Sequence, residues 1–358
     1  MKSPLVSSVY SVCSVCSVSS VFSVFFVSFV SFVSISCQNQ PRCLDQDKNT
    51  MRYAQLITMT DNGDVTIINP WDTSRVLQQL HLDTPISNAA VCMTTHCALL
   101  DELGLHGFYH DFSNMPVPDV ESLIDANIDA VLVSPFENSG GYEQLQQLGI
   151  PLIYCADYME TSPLSRAEWM RFYARLFGTS ADSLFNAVEQ QYLALTTSPN
   201  HQIPKSPNHQ TTKSPTVACD LISGSTWYVP GGCSTIGRLI ADAGGNYVYA
   251  DNDSKGSLSL SPEAVFEACQ DADIWIIRYV ADCDMTYDNL ASESPLYSQM
   301  KAFQNHRVFG CDLEKTHFFE ETPFHPERLM KNLQHIFSGN NPDSDTAYYK
   351  PLKLTGLH

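Results

Sequence analysis

The chain has 358 residues, enough for two domains with separate hydrophobic cores. It carries 20 lysines and arginines against 39 acidic residues, which gives a formal net charge of -19. Because nucleic acids are bound through basic surfaces, this charge argues against a nucleic-acid partner and fits a partner with a basic surface.

Residues 1–37 form a tract of serine, valine and phenylalanine with one basic residue, Lys2, and no acid. A basic start, an apolar stretch and small residues before a cleavage site are typical of a secretory signal. A retained membrane anchor is the alternative, because the apolar stretch is long. The tract ends in Ser-Ile-Ser-Cys, which is similar to a bacterial lipoprotein cleavage site, although Ser34 stands where an aliphatic residue is usual. We therefore expect lipidation of Cys37 and a periplasmic or cell-envelope location.

The chain has 12 cysteines, and no CxxC pair follows residue 37, so zinc-type spacing is absent from that part of the sequence. Cys92, Cys155 and Cys269 lie in apolar runs, which indicates small buried side chains. The spacing assigns no disulfide.

The region after the apolar tract begins with a polar tether, residues 38–50. The sequence YAQLITMTDNGDVTIINPW then predicts two strands around an Asn-Gly turn. From 89 to 157 short apolar runs alternate with helical patterns, which is typical of a parallel α/β layer. Gly149 is expected to end a helix and Pro151 to start a strand. We assign residues 51–178 to an N-terminal α/β lobe.

Residues 162–195 predict two helices broken at Gly178, the second capped by Thr179 or Ser180. We expect a connecting helix over 179–197. The direct repeat SPNHQIPK and SPNHQTTK follows, and without apolar residues it cannot build a core, so 198–215 is predicted to be a solvated loop. Its repeated His201 and His209 suggest metal binding as an alternative, but nothing in the pattern fixes their geometry.

The α/β pattern resumes over 216–358, which we assign to a C-terminal lobe. TVACDLIS is predicted to be one strand, STIGRLIADAGG a helix with a glycine stop, and DIWIIRY and RVFGCD two further strands. The phrase ESLIDANIDAVLVSPFE (121–137) has a counterpart in EAVFEACQDADIWIIRY (263–279). Glu121 matches Glu263, and Asp129 matches Asp273 if two residues are inserted. This duplication predicts two similar lobes.

No catalytic motif supports an enzyme: GCSTIG departs from GxSxG by one position, and neither a GxxxxGK[ST] loop nor HExxH is present. Polar and aromatic residues instead follow predicted strands, where α/β folds place ligand sites. They lie in TTH (94–96), SPFEN (134–138), WYVPGG (227–232), RY (278–279) and HFFEE (317–321). The candidate ligand-binding residues are Thr95, His96, Ser134, Phe136, Glu137, Trp227, Tyr228, Tyr279 and Phe318.

Several of these candidates have a structural alternative. His96 could ligate a metal centre inside a ligand, or it could cap a helix and bond locally. Trp227, Tyr228 and Phe318 could belong to the core instead of a binding site.

Residues 86–337 resemble the extracytoplasmic substrate-binding proteins of ABC importers for iron complexes and cobalamin. The resemblance lies in VESLIDANIDAVLVSPFENSGGYEQLQQLGIPLIY, METSPLSRAEWMRFYARLFG, WYVPGGCSTIGRLIADAGGNYVYAD and LSPEAVFEACQDADIWII. It implies two α/β lobes joined by a single long helix, with the ligand in the cleft between them. It also implies that Glu121 and Glu263 dock onto arginines of the permease, although each acid also suits a helix start.

The resemblance implies a permease and its ATPase as partners, a membrane contact through the lipid anchor, and no cofactor beyond the iron or cobalt of the ligand. The segment GLHGFYHDFSNMPVPDVE is shorter than is usual in the family, which leaves ferric siderophore, haem and cobalamin open. A receptor for a bare metal ion and an envelope hydrolase using the same cleft are the alternatives.

Overall fold

The computed structural model describes residues 48–114, 119–135, 142–197, 214–281, 283–342 and 346–354. The first described element is a small antiparallel sheet in which β2 lies between β1 and β3. Its strands are β1 (Ile57–Met59), β2 (Asp64–Ile68) and β3 (Val76–His81). Gly63 turns the chain between the first two strands at a φ of 95°, a conformation that favours glycine. The two strands predicted around this turn are confirmed, and β3 is an addition.

The N-terminal lobe is built on a four-stranded parallel sheet in the order β5-β4-β6-β7. Its strands are β4 (Ala89–Val91), β5 (Tyr109–Asp111), β6 (Ala130–Val133) and β7 (Leu152–Tyr154). The helices between them are α1 (Thr94–Glu102), α2 (Val120–Asp125) and α3 (Glu143–Gln147). Every residue of β4 and β6 is buried, as expected for central strands of a parallel sheet covered on both faces.

Two helices follow this sheet, α4 (Pro163–Leu176) and α5 (Asp182–Thr197). Between them Gly178 has a φ of 73°, so the predicted break is confirmed. The Ser180 hydroxyl accepts a hydrogen bond from the Asp182 amide at 3.1 Å. Phe185 of α5 belongs to the core of the N-terminal lobe, whereas Tyr192 belongs to the core of the C-terminal lobe. The α5 helix therefore contributes side chains to both cores.

The C-terminal lobe is built on a five-stranded sheet in the order β11-β8-β13-β14-β15, parallel except for the last strand. Its strands are β8 (Thr216–Cys219), β11 (Asn246–Tyr247), β13 (Ile274–Tyr279), β14 (Val308–Asp312) and β15 (Lys350–Pro351). A second, antiparallel sheet contains β9 (Ile222–Ser223), β10 (Thr226–Pro230) and β12 (Ser257–Leu260). The single strand predicted from TVACDLIS is wrong: Asp220, at a φ of 59°, turns the chain from β8 in one sheet to β9 in the other.

Seven helices surround these sheets in the described part of the C-terminal lobe. They are α6 (Thr235–Asp242), α7 (Pro262–Cys269), α8 (Tyr287–Glu293), α9 (Lys301–Gln304), α10 (Leu313–Thr316), α11 (Phe318–Glu321) and α12 (Pro326–Phe337). Ser234 caps α6 and Ser261 caps α7 through side-chain hydrogen bonds. Within the described residues, none of the helices combines the length and apolar character needed to cross a bilayer.

The duplicated phrase forms the same unit in each lobe, a helix followed by a central parallel strand. The Asp129 carboxylate, just before β6, accepts a hydrogen bond from the Asn88 amide at 3.0 Å, next to the start of β4. The Asp273 carboxylate, just before β13, accepts from the Thr216 amide at 2.9 Å, at the start of β8. Each aspartate thus ties the starts of two neighbouring strands together, which explains why both copies contain it.

Candidate ligand cleft between the lobes

A small cavity of about 90 Å³ lies where the two lobes meet. It is bounded by the start of α4 on one side and by α6, β13 and α11 on the other. The residues that carry its chemistry are Arg166, Thr235, Ile236, Arg278, Phe318 and Phe319. Helices α6 and α7 run antiparallel to the strands that follow them, so their first residues lie at the carboxyl edge of the sheet, where α/β folds bind ligands.

Arg278 of β13 is the principal charged group of this cavity. Its Nε donates to Asp220 Oδ1 at 2.8 Å and its Nη2 to Asp220 Oδ2 at 2.5 Å, a two-bond fork. The guanidinium also lies over the Phe318 and Phe319 rings, 5.7 and 5.9 Å from their centroids. Burial opposes its charge, but the Asp220 carboxylate outweighs burial and raises the pKa of Arg278. One fifth of the arginine side chain stays exposed.

The N-terminal lobe has its own aspartate–arginine pair, in which Asp157 is fully buried. Its Oδ1 accepts from Tyr173 at 2.7 Å and bonds His96 Nε2 at 2.9 Å, while Oδ2 accepts from Arg166 Nε at 3.1 Å. Burial by itself would raise the pKa of Asp157, but the charge and hydrogen bond of His96, together with Arg166, hold it well below its ordinary range. The network fixes Arg166 at the edge of the cavity.

Helix α11 packs directly against α1 and so closes one side of the junction between the lobes. The Thr95 hydroxyl donates to the Phe319 carbonyl at 2.6 Å, which ties the start of α1 to α11. His325, between α11 and α12, bonds Glu102 of α1 at 2.8 Å. These contacts make the lobes of residues 46–358 part of one compact unit.

The structure brings some of the predicted site residues to this junction. Thr95 and Phe318 lie there, but Phe318 is only 1% exposed because it packs against Phe319 and Tyr349. His96 is 1% exposed, and its Nε2 is engaged by Asp157, so it presents no free imidazole to a ligand. Its Nδ1 has no hydrogen-bond partner among the described residues. Ser134 is half-buried and donates to the Met93 sulfur.

Successive side chains of a strand point to opposite faces of the sheet, so Trp227 and Tyr228 have different surroundings, as do Arg278 and Tyr279. Trp227 is fully buried in the C-terminal core against Trp275 and Tyr297, so the prediction that this ring contacts a ligand does not fit its position. Tyr228, on the opposite face of β10, is 46% exposed. Likewise Tyr279 belongs to the apolar core of its lobe, while its neighbour Arg278 lines the cavity.

Three further predictions concern residues outside the described ranges: Phe136 and Glu137 as ligand contacts, and Cys37 as the lipidated residue. The two docking candidates, Glu121 and Glu263, are both exposed and occupy the first turn of α2 and α7. Their equivalent positions fit the duplicated unit, and their role in docking stays a prediction.

Sequence reasoning missed the two aspartate–arginine pairs. Arg278 stands in the predicted strand end RY, where the sequence predicts Tyr279 as the ligand contact. Arg166 and Asp157 had no local signal, because their partners His96 and Tyr173 lie 61 and 16 residues from Asp157. Within the residues that the structure describes, no three histidine, cysteine or acidic side chains come together in a way that could hold a metal ion.

The two lobes and the cleft between them place the chain in the class of two-lobed binding proteins, and comparisons with known proteins name the family. The family model described as periplasmic binding protein matches residues 111–314, more than half of the chain, so the chain belongs to that family. The resemblance seen in the sequence is thereby confirmed.

Two uncharacterized lipoproteins of Methanocaldococcus jannaschii are similar in sequence. One is 26% identical over 252 residues, which are 66% of this chain and 58% of the relative. The other is 24% identical over 236 residues, which are 65% of this chain and 59% of the relative. The chain thus spans less than two thirds of the length of these curated relatives.

Solved structures show the same fold at low sequence identity. An ABC-type Fe3+-hydroxamate transport protein from Saccharomonospora viridis has a TM-score of 0.55 and 16% identity, covering 76% of this chain and 98% of that chain. The periplasmic heme-binding protein HutB of Vibrio cholerae has a TM-score of 0.52 and 17% identity, covering 70% of this chain and 98% of that chain. These likenesses establish the two-lobed α/β fold.

Proposed function

We propose that the protein is the extracytoplasmic solute-binding component of an ABC importer, which captures an anionic metal chelate and delivers it to a membrane permease and its ATPase. The observation that carries this proposal is Arg278, whose guanidinium lies over the Phe318 and Phe319 rings in the cleft of a chain of this family. An aromatic-flanked guanidinium suits a ligand that combines a flat or apolar body with carboxylates.

The polar groups of the cleft favour a negative ligand over a neutral one. Asp220 engages Nε and Nη2 of Arg278, and because a guanidinium has about five N–H donors, further donors remain for a ligand carboxylate. Thr235 at the first turn of α6 adds the positive end of a helix to the same cavity. We therefore rank a carboxylate-bearing ferric siderophore and haem ahead of cobalamin.

The size of the cavity adds a requirement for movement. Ligand sites are typically about 300–1,000 Å³, whereas this cavity is about 90 Å³. A metal chelate fits only if the lobes separate or α11 moves away from α1. The Thr95–Phe319 and Glu102–His325 hydrogen bonds are the contacts that such an opening breaks.

The competing functions have less support from the positions of their residues. A bare metal ion needs several converging ligands, and His96, the one histidine proposed for that role, is bonded to Asp157 and buried. A hydrolase needs a general base within reach of its substrate, and because His96 is buried it cannot contact a substrate. Extracytoplasmic location and lipid anchoring through Cys37 belong to this proposal as well.

The test starts from the ligand that the purified protein retains, identified by mass spectrometry and visible absorption. Ferric citrate and haemin are then titrated while tryptophan fluorescence is followed. Arg278→Gln should weaken binding by about tenfold or more, since hydrogen bonds to charged groups contribute about 1.5–3 kcal/mol. Arg278→Lys keeps the positive charge but loses the two-bond fork, so its affinity should lie between those of the wild type and Arg278→Gln.

Arg75→Gln, in the turn before β3 and with a 77% exposed side chain, is the matched control and should bind as the wild type does. Equal affinity of Arg278→Gln and wild type for both chelates would remove the arginine from the site. Turnover of model esters by the wild type would instead favour the hydrolase.

A further inference from the structure

A buried histidine joins the two lobes beside the chelate cleft. Helix α11, which carries Phe319 of the cleft cavity, and the residues just after it are bonded to both ends of α1. At one end the Thr95 hydroxyl donates to the Phe319 carbonyl at 2.6 Å. At the other end Glu102, the last residue of α1, bonds His325 Nε2 at 2.8 Å. Moving α11 away from α1 to widen the cleft therefore breaks the contact between Glu102 and His325.

His325 faces a carboxylate with each of its ring nitrogens. Nε2 bonds Glu102 Oε2 at 2.8 Å, and Nδ1 bonds Glu327 Oε1, in the first turn of α12, at 3.0 Å. A carboxylate only accepts hydrogen bonds, and a neutral imidazole has a single N–H, so both bonds form only when the ring carries two protons. The geometry therefore defines His325 as an imidazolium that holds one carboxylate of each lobe.

The charged groups around His325 favour its second proton, because the carboxylates among them outnumber the guanidinium. The titratable side chains that surround the ring are Glu102 from α1, His317 and Glu320 and Glu321 from the region of α11, and Glu327 and Arg328 from α12. Arg328 lies 3.2 Å from Glu321 and 3.8 Å from Glu327. Burial opposes the charge of the imidazolium, but the hydrogen bonds to Glu102 and Glu327 outweigh burial and raise the pKa of His325 to about 9.

Loss of the second proton breaks the bond to Glu102 and spares the bond to Glu327. A neutral ring keeps one N–H, for which the two carboxylates compete. Glu327 is 5% exposed, and its Oε2 has no hydrogen-bond partner among the described residues, so losing His325 as well would leave a buried charge uncompensated. The Glu102 side chain is 38% exposed and is free to turn towards solvent. The neutral ring therefore donates to Glu327 and turns a bare nitrogen to Glu102.

A surface groove of about 280 Å³ runs beside this contact. Its walls come from both lobes, with Ala98 and Glu102 on α1 and Glu320 and Arg328 on the opposite side, and His325 itself forms part of the lining. The groove gives the ring a route for exchanging its proton with solvent and gives the Glu102 carboxylate room to move. The contact is thus buried enough to be specific and accessible enough to respond to pH.

We propose that the Glu102–His325–Glu327 contact is a proton-controlled latch on the chelate cleft, in which the doubly protonated ring holds α11 against α1 and loss of a proton lets the lobes separate. This inference rests on the proposed function, in which a chelate enters only after such an opening. Opening removes Glu102 from the ring, so the open form holds the proton less tightly than the closed form. Opening therefore releases a proton and becomes more favourable as the pH rises from 6.5 towards about 9.

Hydrogen–deuterium exchange of the full chain without ligand tests the latch directly. Exchange in the peptides that cover α1 and residues 317–325 is compared between wild type and Glu102→Gln at the same pH, so that the intrinsic pH dependence of exchange cancels. At about pH 6.5 the wild type should exchange about threefold more slowly or slower still, and by about pH 10 the two proteins should be alike. His325→Gln is the second variant and should likewise lose the pH dependence.

Asp101→Asn is the matched control for these variants. The Asp101 carboxylate precedes Glu102 in the last turn of α1, but it bonds Tyr109 at 2.6 Å and His106 at 2.8 Å within its own lobe. This variant should keep the pH profile of the wild type, and thermal melting checks that every variant is folded.

The association rate of haemin, followed by tryptophan fluorescence, connects the latch to the cleft. At about pH 6.5 the wild type should bind about threefold more slowly than Glu102→Gln or slower still, and the rates should converge by about pH 10, because binding scales with the population of the open form. A ratio of wild type to Glu102→Gln that stays constant with pH, in exchange or in haemin association, overturns the latch. If neither protein binds haemin or ferric citrate, the proposed function fails, and the exchange measurement still decides whether the latch exists.

Discussion

The two lobes each place an aspartate–arginine pair at their junction, yet the pairs differ in burial. Asp157 of the N-terminal lobe is fully buried and bonded to three side chains. Among the described residues, the Asp220 carboxylate of the C-terminal lobe bonds only the Arg278 side chain, and Asp220 stays 14% exposed. Removing a buried carboxylate leaves its several partners uncompensated, while a partly exposed pair keeps donors that a ligand can reach. Under the proposed function, we therefore expect the Asp157 pair to matter mainly for folding and the Asp220–Arg278 pair mainly for ligand binding.

Replacing each aspartate tests this division and should give the largest effect. Asp157→Asn leaves His96 and Arg166 without their carboxylate inside the protein, so we expect the free energy of unfolding to fall by about 3–5 kcal/mol. Asp220→Asn should cost less, because Arg278 remains in contact with solvent. Urea unfolding of both variants measures the difference. Equal losses would contradict the division between the lobes.

A second pair of substitutions sharpens the comparison within the C-terminal lobe. Trp227→Ala removes a fully buried ring that donates from Nε1 to the Cys219 carbonyl, and should destabilise the protein by about 3–5 kcal/mol. Tyr228→Ala, one residue along the strand and 46% exposed, should change stability by less than about 1 kcal/mol. Thermal melting reports both. A mild effect of Trp227→Ala would mean that this core does not depend on the ring.

These positions show which parts of the architecture could be predicted from sequence. The duplicated phrase predicted the helix–strand unit of each lobe because its determinants are local: a capped helix start, a buried residue one turn on, and an aspartate before the strand. The order of the strands and the lobe-to-lobe contacts depend on pairs such as Thr95 with Phe319, 224 residues apart, for which periodicity carries no signal. Contacts between residues so far apart in the sequence can be identified only in the folded structure.

The candidate site was predictable in location but not in composition. Strand ends pointed to Thr95, Phe318 and the Arg278–Tyr279 step, since ligands of α/β folds collect at carboxyl edges. Which of two neighbouring residues faces the cleft is decided by the register of one strand, and a shift of one residue exchanges them. The sequence predicts a ligand contact at Tyr279, whereas Arg278 lines the cavity, and one at Trp227, whose ring is part of the core.

The contact between the lobes is predicted to depend on pH through His325. Burial opposes its charge, but hydrogen bonds to Glu102 and Glu327 outweigh burial and raise the pKa of His325 from 6.5 to about 9. A raised pKa means that the stabilisation is fully present below pH 6.5 and is lost as the pH rises through about 9. We expect the wild type to lose on the order of 1–3 kcal/mol of unfolding free energy over that interval.

His325→Gln should flatten this pH profile, since glutamine does not titrate, and should lower stability at pH 6.5. Unfolding measured at intervals between pH 6 and 10 separates the two curves. His335→Gln, exposed on α12, the helix that follows His325, is the control and should keep the wild-type slope. Parallel profiles for wild type and His325→Gln would show that the link between Glu102 and His325 does not control the stability of the junction.

The smallest effect on stability is expected where the two lobes are most alike, at Glu121 and Glu263. Both acids are exposed in the first turn of a helix, so Glu121→Arg and Glu263→Arg should change the free energy of unfolding by about 0.5 kcal/mol or less. If the acids dock onto basic pockets of a permease, ligand affinity stays intact while uptake falls, because charge reversal adds repulsion to the lost attraction. The second contact forms within an already tethered pair, so the double variant should lose uptake altogether.

Transport into reconstituted vesicles, compared with ligand affinity of the same variants, separates docking from helix stabilisation. Glu267→Arg, exposed one turn further along α7, reverses a charge near Glu263 without standing in the first turn, and should transport normally. Uptake at the wild-type rate by the double variant would leave both acids with a structural role only, the favourable interaction of an acidic side chain with the positive end of its helix. Loss in the double variant alone would show that either lobe can hold the complex, and a full loss in one single variant would break the symmetry that the duplicated phrase implies.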